Sequence, residues 1–185
     1  MNVAELLLDW LPSNDDPERP QMILSTVTPD GGADARTLLL TEFDESGFYF
    51  HTDSRSRKVA DITANPAVAL SFLWPGFTRQ LVVQGRASVA PAAEQSAAYR
   101  ARSPYLKQLA WQNSPEFARL PLEERRAQWA AFTTAPQELE QPPTWIGFVV
   151  RPHRLTFWGS NPDTASRRTE FTLVDGDWVE EYLPG

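Results

Sequence analysis

The chain has 185 residues, 42% hydrophobic and 22% charged, a balance that suits a globular domain and excludes a disordered one. It has no cysteine, only His51 and His153 as histidines, and a net charge of −7, which excludes disulfides, thiolate sites and a multi-histidine metal cage and argues against a general nucleic-acid binder. With about 100–200 residues per domain as the usual size, no apolar run near the roughly 18 residues of a membrane span and no signal-peptide pattern at the N-terminus, one soluble, cytoplasmic domain over residues 1–185 is expected.

Val3, Leu6, Leu7, Trp10 and Leu11 follow helical spacing, and Pro12 ends that helix. A polar loop completes residues 1–20. Strand patterns at Gln21–Thr28 and Ala33–Phe43 flank the hairpin signal Pro29-Asp30-Gly31-Gly32. Another strand covers Gly47–Thr52. Ser56 is placed to cap a helix that runs to about Ala64, and Asn65-Pro66 stops it. Ala67–Trp74 and Arg79–Val89 read as two more strands. Residues 91–144 form a helical insertion, with one helix opened by Pro91-Ala-Ala-Glu and one by Pro121-Leu-Glu-Glu. Trp129 and Phe132 lie on the apolar side of the second. Gln137–Thr144 is a Pro- and Gln-rich connector. Strands return at Trp145–Arg151, Arg154–Trp158, Thr169–Val174 and Trp178–Tyr182, with His153 in a turn after Pro152 and Asp175-Gly176-Asp177 joining the last two. Antiparallel strands with helices inserted between them predict a mainly β (α+β) barrel decorated by helices.

Four places carry polar chemistry. Ser54-Arg55-Ser56-Arg57-Lys58 puts three of the 17 cations at a helix start, where backbone N–H groups and the dipole favour a phosphate. A solvated basic turn is the plain alternative. Arg36 heads the apolar run Thr37-Leu38-Leu39-Leu40 and can reach a ligand or snorkel to water. Gln80, beside Arg79, can serve both donors and acceptors on a heteroaromatic ring; an exposed strand start is the alternative. Phe157-Trp158, with Arg168 ten residues on, can line a cofactor or belong to the core. His51 can hydrogen-bond a ligand or serve a structural role. There is no Ser-His-Asp set and no nucleotide-type Gly-rich loop.

Together these segments carry a resemblance. Met22-Ile-Leu-Ser-Thr-Val, Asp30-Gly31, Arg36-Thr-Leu-Leu-Leu, Gly47-Phe-Tyr-Phe-His-Thr, Ser56-Arg57-Lys58, Asn65-Pro66, Arg79-Gln80, Trp145-Ile-Gly-Phe and Phe157-Trp158 occur in one order. That order, from about residue 20 to Trp178–Leu183, resembles the pyridoxamine 5′-phosphate oxidase family of FMN-binding split barrels. The resemblance implies an antiparallel split barrel, FMN as cofactor, and a homodimer with FMN at its interface. It implies that Arg36, Thr37, Leu38 and Leu39 line the flavin, followed by His51, where the family usually has Tyr, and Thr52. It assigns Ser56, Arg57 and Lys58 to the phosphate end and Gln80 to the ring. Trp158 and Arg168 match residues given by the second subunit. A further pair from that subunit, usually Gln-Ser, aligns near Pro115 and Glu116 and is not kept.

The implied substrate site departs further. Where the family holds the substrate phosphate with Lys, Tyr, Arg and Ser, this chain has Thr41, Ala98, Arg102 and Leu106. Thr164 and Ser166 stand where the family places an Arg and a His over the substrate. Tyr99 and Lys107 each sit one place from a match, and one residue turns a helical side chain by about 100°. Losing even two charge-assisted bonds costs about 3–6 kcal/mol, roughly a hundred-fold or more in affinity. The leading expectation is therefore an FMN-dependent oxidoreductase that passes a hydride from another small heteroaromatic or amine substrate to flavin N5, with O2 as acceptor. Pyridoxamine/pyridoxine 5′-phosphate oxidase itself, a non-catalytic flavin-binding protein and a flavin-free β-barrel module remain alternatives. No metal is expected.

Overall fold

The structure is a computed structural model that describes residues 2–134 and 139–185. Of the connector expected at 137–144, residues 137 and 138 lie outside the described residues. Nine strands and six α-helices follow in order among the described residues: α1 (Val3–Trp10), β1 (Gln21–Val27), β2 (Ala33–Leu39), β3 (Glu42–Asp44), β4 (Gly47–Asp53), α2 (Arg57–Ala64), β5 (Ala67–Leu73), β6 (Arg79–Val89), α3 (Ala92–Ala101), α4 (Pro104–Gln112), α5 (Pro115–Arg119), α6 (Leu122–Thr134), β7 (Trp145–Gly159), β8 (Arg167–Val174) and β9 (Asp177–Pro184). The chain divides into two compact units. One comprises Met1–Phe50, Ser56–Val89 and Phe148–Gly185, the other His51–Arg55 and Ala90–Gly147.

The first unit is built on an antiparallel sheet in the order β2-β1-β5-β6-β7-β4-β3, with β8 and β9 continuing from β7. Its register explains its core. Leu24 faces Leu70, Leu70 faces Val83 and Val83 faces Leu155, and all four are buried. Directly opposed residues share a face and successive ones alternate, so this row defines the inner face. Each such side chain contributes about 1.5–3 kcal/mol when fully buried. Helix α1 is closed at its start by a capping box between Asn2 and Glu5. At its end Trp10 meets Trp74 and Phe157 edge-on, at 5.4 and 5.1 Å between ring centroids.

Three strand readings change. The strand expected at Ala33–Phe43 breaks after Leu39, because the Leu40 N–H donates to Pro20 O and the Thr41 N–H to Tyr49 O. The two strands expected around His153 are one strand, β7. Its register steps from Gln84↔Arg154 to Gly85↔Pro152, so His153 is the extra residue of a β-bulge and not part of a turn. The last hairpin turns on two residues, Asp175 and Gly176, at φ 51° and 95°, the positive-φ pair of a tight hairpin.

In the second unit two helices more than expected fill residues 91–134. Ser103 and Ser114 cap α4 and α5 by accepting from the Leu106 and Phe117 N–H groups, and each is followed by Pro at the first helical position. That Ser-Pro pair is a helix-start signature. Gln108, buried on α4, donates to the Trp129 carbonyl of α6 and accepts from Thr133 Oγ1.

Candidate functional site

Helix α2 begins at the basic cluster. Ser56 occupies the N-cap position in an extended conformation, although its side chain makes no capping bond to the helix. Arg57 is nine-tenths exposed. The N–H groups of a helix's first turn point beyond its end, so this start combines backbone donors with the Arg57 and Lys58 cations. Arg55 is turned elsewhere: it forms a two-pronged pair with Asp53, at 3.0 and 2.8 Å.

Arg36 neither snorkels nor stands at a rim. It faces Leu24 across the β1–β2 ladder, so it points to the inner face. There Nη1 donates to Thr26 Oγ1 at 2.8 Å and to Leu24 O at 3.2 Å. Nη2 donates to Asp34 at 2.7 Å and to Asp61 at 3.3 Å. Asp61, on α2, is buried and also accepts from Thr26 Oγ1 at 2.7 Å. The Asp34 carboxyl lies below its usual pKa range. Partial desolvation raises it, and Arg36, the Ala35 N–H and Arg57 together outweigh that. Sequence reading missed Asp34, Asp61 and Thr26. The available signal was local: Asp34 precedes Arg36 by two on one strand face, and Asp61 follows Arg57 by four on one helix.

Strand alternation divides the remaining flavin candidates. Thr37 faces Ile23, which faces Ser71, then Val82, Thr156 and Glu170. This is the outer row, one step from the buried one. Two residues along on the same face lie Leu39 on β2, and Gln80, which is opposite both Leu73 and Trp158. Trp158 in turn faces Arg168. Thr37, Leu39, Gln80, Trp158 and Arg168 thus share the outer face, whereas Arg36 and Leu38 share the inner one. Four consecutive side chains from Arg36 to Leu39 cannot all face one ligand. Phe157 is core, at 3% exposure, and only Trp158 of that pair presents its ring outward. Phe77, at φ 54° and 64% exposed, packs against Trp158 with the rings tilted by 31° and 4.6 Å between centroids. The Arg168 guanidinium donates to Pro184 O at 3.3 Å.

His51, Thr52 and Arg102 belong to the second unit. The His51 side chain has no exposed surface. Nε2 lies 3.2 Å from the Glu94 carboxylate, and the ring stacks on Trp145 at 4.9 Å and 6°. With the imidazole enclosed this way, a cofactor contact at His51 is left to its backbone. Arg102 lies over the same Trp145 at 4.2 Å and donates to Leu106 O at 3.4 Å. Burial lowers its pKa to about 10, with Tyr99 opposing. Among the described residues it makes no ion pair. Glu116, at the position expected to depart from the family, lies in the first turn of α5.

Of the other substrate positions, Ala98 and Leu106 fall in the second unit and Thr41, Thr164 and Ser166 in the first. Thr41 follows β2, and its N–H is bound to Tyr49 O. Thr164 and Ser166, in the β7–β8 connection, line a cavity of about 580 Å³ with Leu6, Trp10 and Phe157. Thr164 and Ser166 are short and uncharged, and the cation that lines this cavity is Arg167.

The comparisons with known proteins agree on a family. The sequence pattern described as "Pyridoxamine 5'-phosphate oxidase" matches residues 16–141. A Rubrobacter xylanophilus protein named pyridoxine/pyridoxamine 5′-phosphate oxidase is 45% identical over 162 residues, covering 85% of this chain and 73% of its own length. PhzG from Burkholderia lata, solved with tetrahydrophenazine-1-carboxylic acid, superposes with a TM-score of 0.77 at 22% identity, over 95% of this chain and 97% of that one. A pyridoxamine 5′-phosphate oxidase-related, FMN-binding protein from Nostoc punctiforme gives 0.75 at 19% identity, over 90% and 88%. These likenesses show the fold, a mainly β antiparallel split barrel with inserted helices. No helix among the described residues is long and apolar enough to cross a membrane.

Proposed function

We propose, for a chain that belongs to the pyridoxamine 5′-phosphate oxidase family, the role of an FMN-dependent oxidoreductase acting on a small heteroaromatic or amine substrate, with O2 as electron acceptor. The two units act in this reading as one flavin-binding domain over residues 1–185. The carrying observation is the outer-face group of Thr37, Leu39, Gln80, Trp158 and Arg168 in the same unit as the helix start Ser56-Arg57-Lys58. The donor set fits FMN: an exposed guanidinium and helix-start N–H groups suit one terminal phosphate, and the Gln80 amide, with an indole brought by a second subunit, suits a flat heteroaromatic ring. The FMN-binding relative of the same fold supports this choice.

In this reading Arg57 and Lys58 bind the phosphate, and Arg36 joins them. Gln80 orients the polar edge of the ring. Trp158 and Arg168 act from the second subunit of a homodimer, whose two-fold axis repeats that donation. The exposed Leu39, Leu73 and Phe77 give the outer face the apolar surface that such a partner would cover. A flavin-loaded monomer in sedimentation contradicts this assembly. When bound, FMN supplies the redox chemistry, accepting a hydride and returning its electrons to O2. The chain's own part is to bind, orient and exclude water; no side chain is assigned a proton transfer.

Thr164 and Ser166 favour a substrate other than pyridoxamine 5′-phosphate, because neither can neutralise a charged group. Arg102 lies over Trp145 and donates to Leu106 O. The second reading, pyridoxamine/pyridoxine 5′-phosphate oxidase itself, is favoured by the name and 45% identity of the Rubrobacter relative. Peroxide release separates the two. The first expects pyridoxamine 5′-phosphate to be a poor substrate beside unphosphorylated and non-pyridine ring compounds. Turnover of about 1 s⁻¹ or more with a micromolar Michaelis constant, an ordinary enzyme's performance, would establish the second.

A further inference from the structure

Asp34 stands between two cations that the flavin reading needs. Its Oδ2 lies 2.7 Å from Arg36 Nη2 and 4.0 Å from Arg57 Nη2. Arg36 is already held from behind by Thr26 Oγ1, Leu24 O and the buried Asp61. One guanidinium therefore carries two carboxylates. They are not equivalent. Asp61 is 5% exposed, sits on α2 and is further fixed by Thr26, whereas Asp34 is 28% exposed near the start of β2. Arg57, the other cation Asp34 approaches, is 90% exposed.

We infer that Asp34 is an internal competitor for the cofactor's phosphate, a specificity-determining residue whose carboxylate must give up Arg36 and Arg57 before a phosphate can take them. The inference rests on the proposal that the start of α2 binds the phosphate of FMN. A carboxylate offers a single negative charge, whereas a phosphate monoester carries nearly two and three acceptor oxygens. Only a strong anion therefore displaces Asp34 from the paired guanidinium groups. Asp61 stays in place and keeps Arg36 aimed. The device costs affinity and gains discrimination: weak monoanions meet guanidinium groups already paired with a carboxylate, and a phosphate meets ones it can win.

The test compares FMN with riboflavin, which lacks the phosphate, by quenching of flavin fluorescence with the apo-protein. Asp34→Asn removes the competing charge and keeps the shape. It should tighten FMN roughly three- to tenfold and leave riboflavin unchanged. Asp34→Ala should move FMN in the same direction, and thermal midpoints of both variants check that each is folded. A residue that only braces Arg36 gives the opposite sign, with weaker FMN binding in both variants. That result, or an unchanged ratio of FMN to riboflavin affinity, overturns the inference while the parent's FMN binding leaves the flavin reading standing. If the parent itself binds neither flavin, the flavin reading falls and takes this inference with it.

Discussion

Gln80 and Trp158 lie directly opposite each other on the β6–β7 ladder. Their side chains consequently share the outer sheet face, with Leu39 and Leu73 exposed on it. If this amide reads the flavin ring, Gln80→Ala removes a ring contact and no phosphate contact. FMN and riboflavin should then weaken alike, by about three- to tenfold for one neutral hydrogen bond. Fluorescence titration of both flavins measures this. Unchanged affinities would remove Gln80 from the site.

The basic start of α2 should behave in the opposite way. The double variant Arg57→Ala with Lys58→Ala removes two charge-assisted contacts, each contributing about 1.5–3 kcal/mol. FMN affinity should fall about a hundred-fold or more, and riboflavin affinity should hardly change. A double variant that purifies with as much FMN as its parent would place the phosphate elsewhere.

Much of this arrangement could be read from the sequence, and the reasons differ by element. Alternation placed β1 and β6, because each packs one face on the core. The cluster at 54–58 was visible as charge. Three features were less legible. The break at Leu40–Thr41 depends on backbone partners at Pro20 and Tyr49, which no local pattern reveals. The bulge at His153 looks like a turn because Pro152 precedes it, while the ladder to β6 carries the strand through. Spacing alone does not reveal the roles of Asp34 and Asp61, since these come from Arg36, which the β1–β2 register turns inward. Helices α4 and α5 were legible in principle through their Ser-Pro starts.

Gly147 makes room for His51. A Cβ there would meet Nε2 at 2.6 Å and Cδ2 at 2.7 Å, and Gln95 Cγ at 2.9 Å. The ring is fixed by Glu94 and Trp145, so it cannot yield cheaply. Gly147→Ala should destabilise the fold by about 1–3 kcal/mol, as overpacking does. Urea denaturation measures this, and an unchanged midpoint would show that the imidazole is loosely held.

Asp53 gives a pH dependence of known sign. Burial raises its pKa, but bonds from the Arg55 side chain and N–H outweigh this, leaving it below the usual carboxylate value. A carboxyl with a depressed folded pKa stabilises above its unfolded value, about 3.9. That contribution is lost as pH falls through the lower, folded value. Asp53→Asn should therefore lose stability less steeply than the parent below about pH 4. Denaturation midpoints against pH check this, and parallel profiles would refute it.

In the proposed function this chain binds FMN through its phosphate. Titrating apo-protein into FMN and into riboflavin, with flavin fluorescence as the signal, tests it most directly. Saturable quenching at one FMN per chain is expected, with riboflavin bound at least about a hundred-fold more weakly, because charge-assisted phosphate contacts are lost. Equal affinity for the two flavins would contradict the phosphate site, and absence of quenching by either would contradict the flavin function.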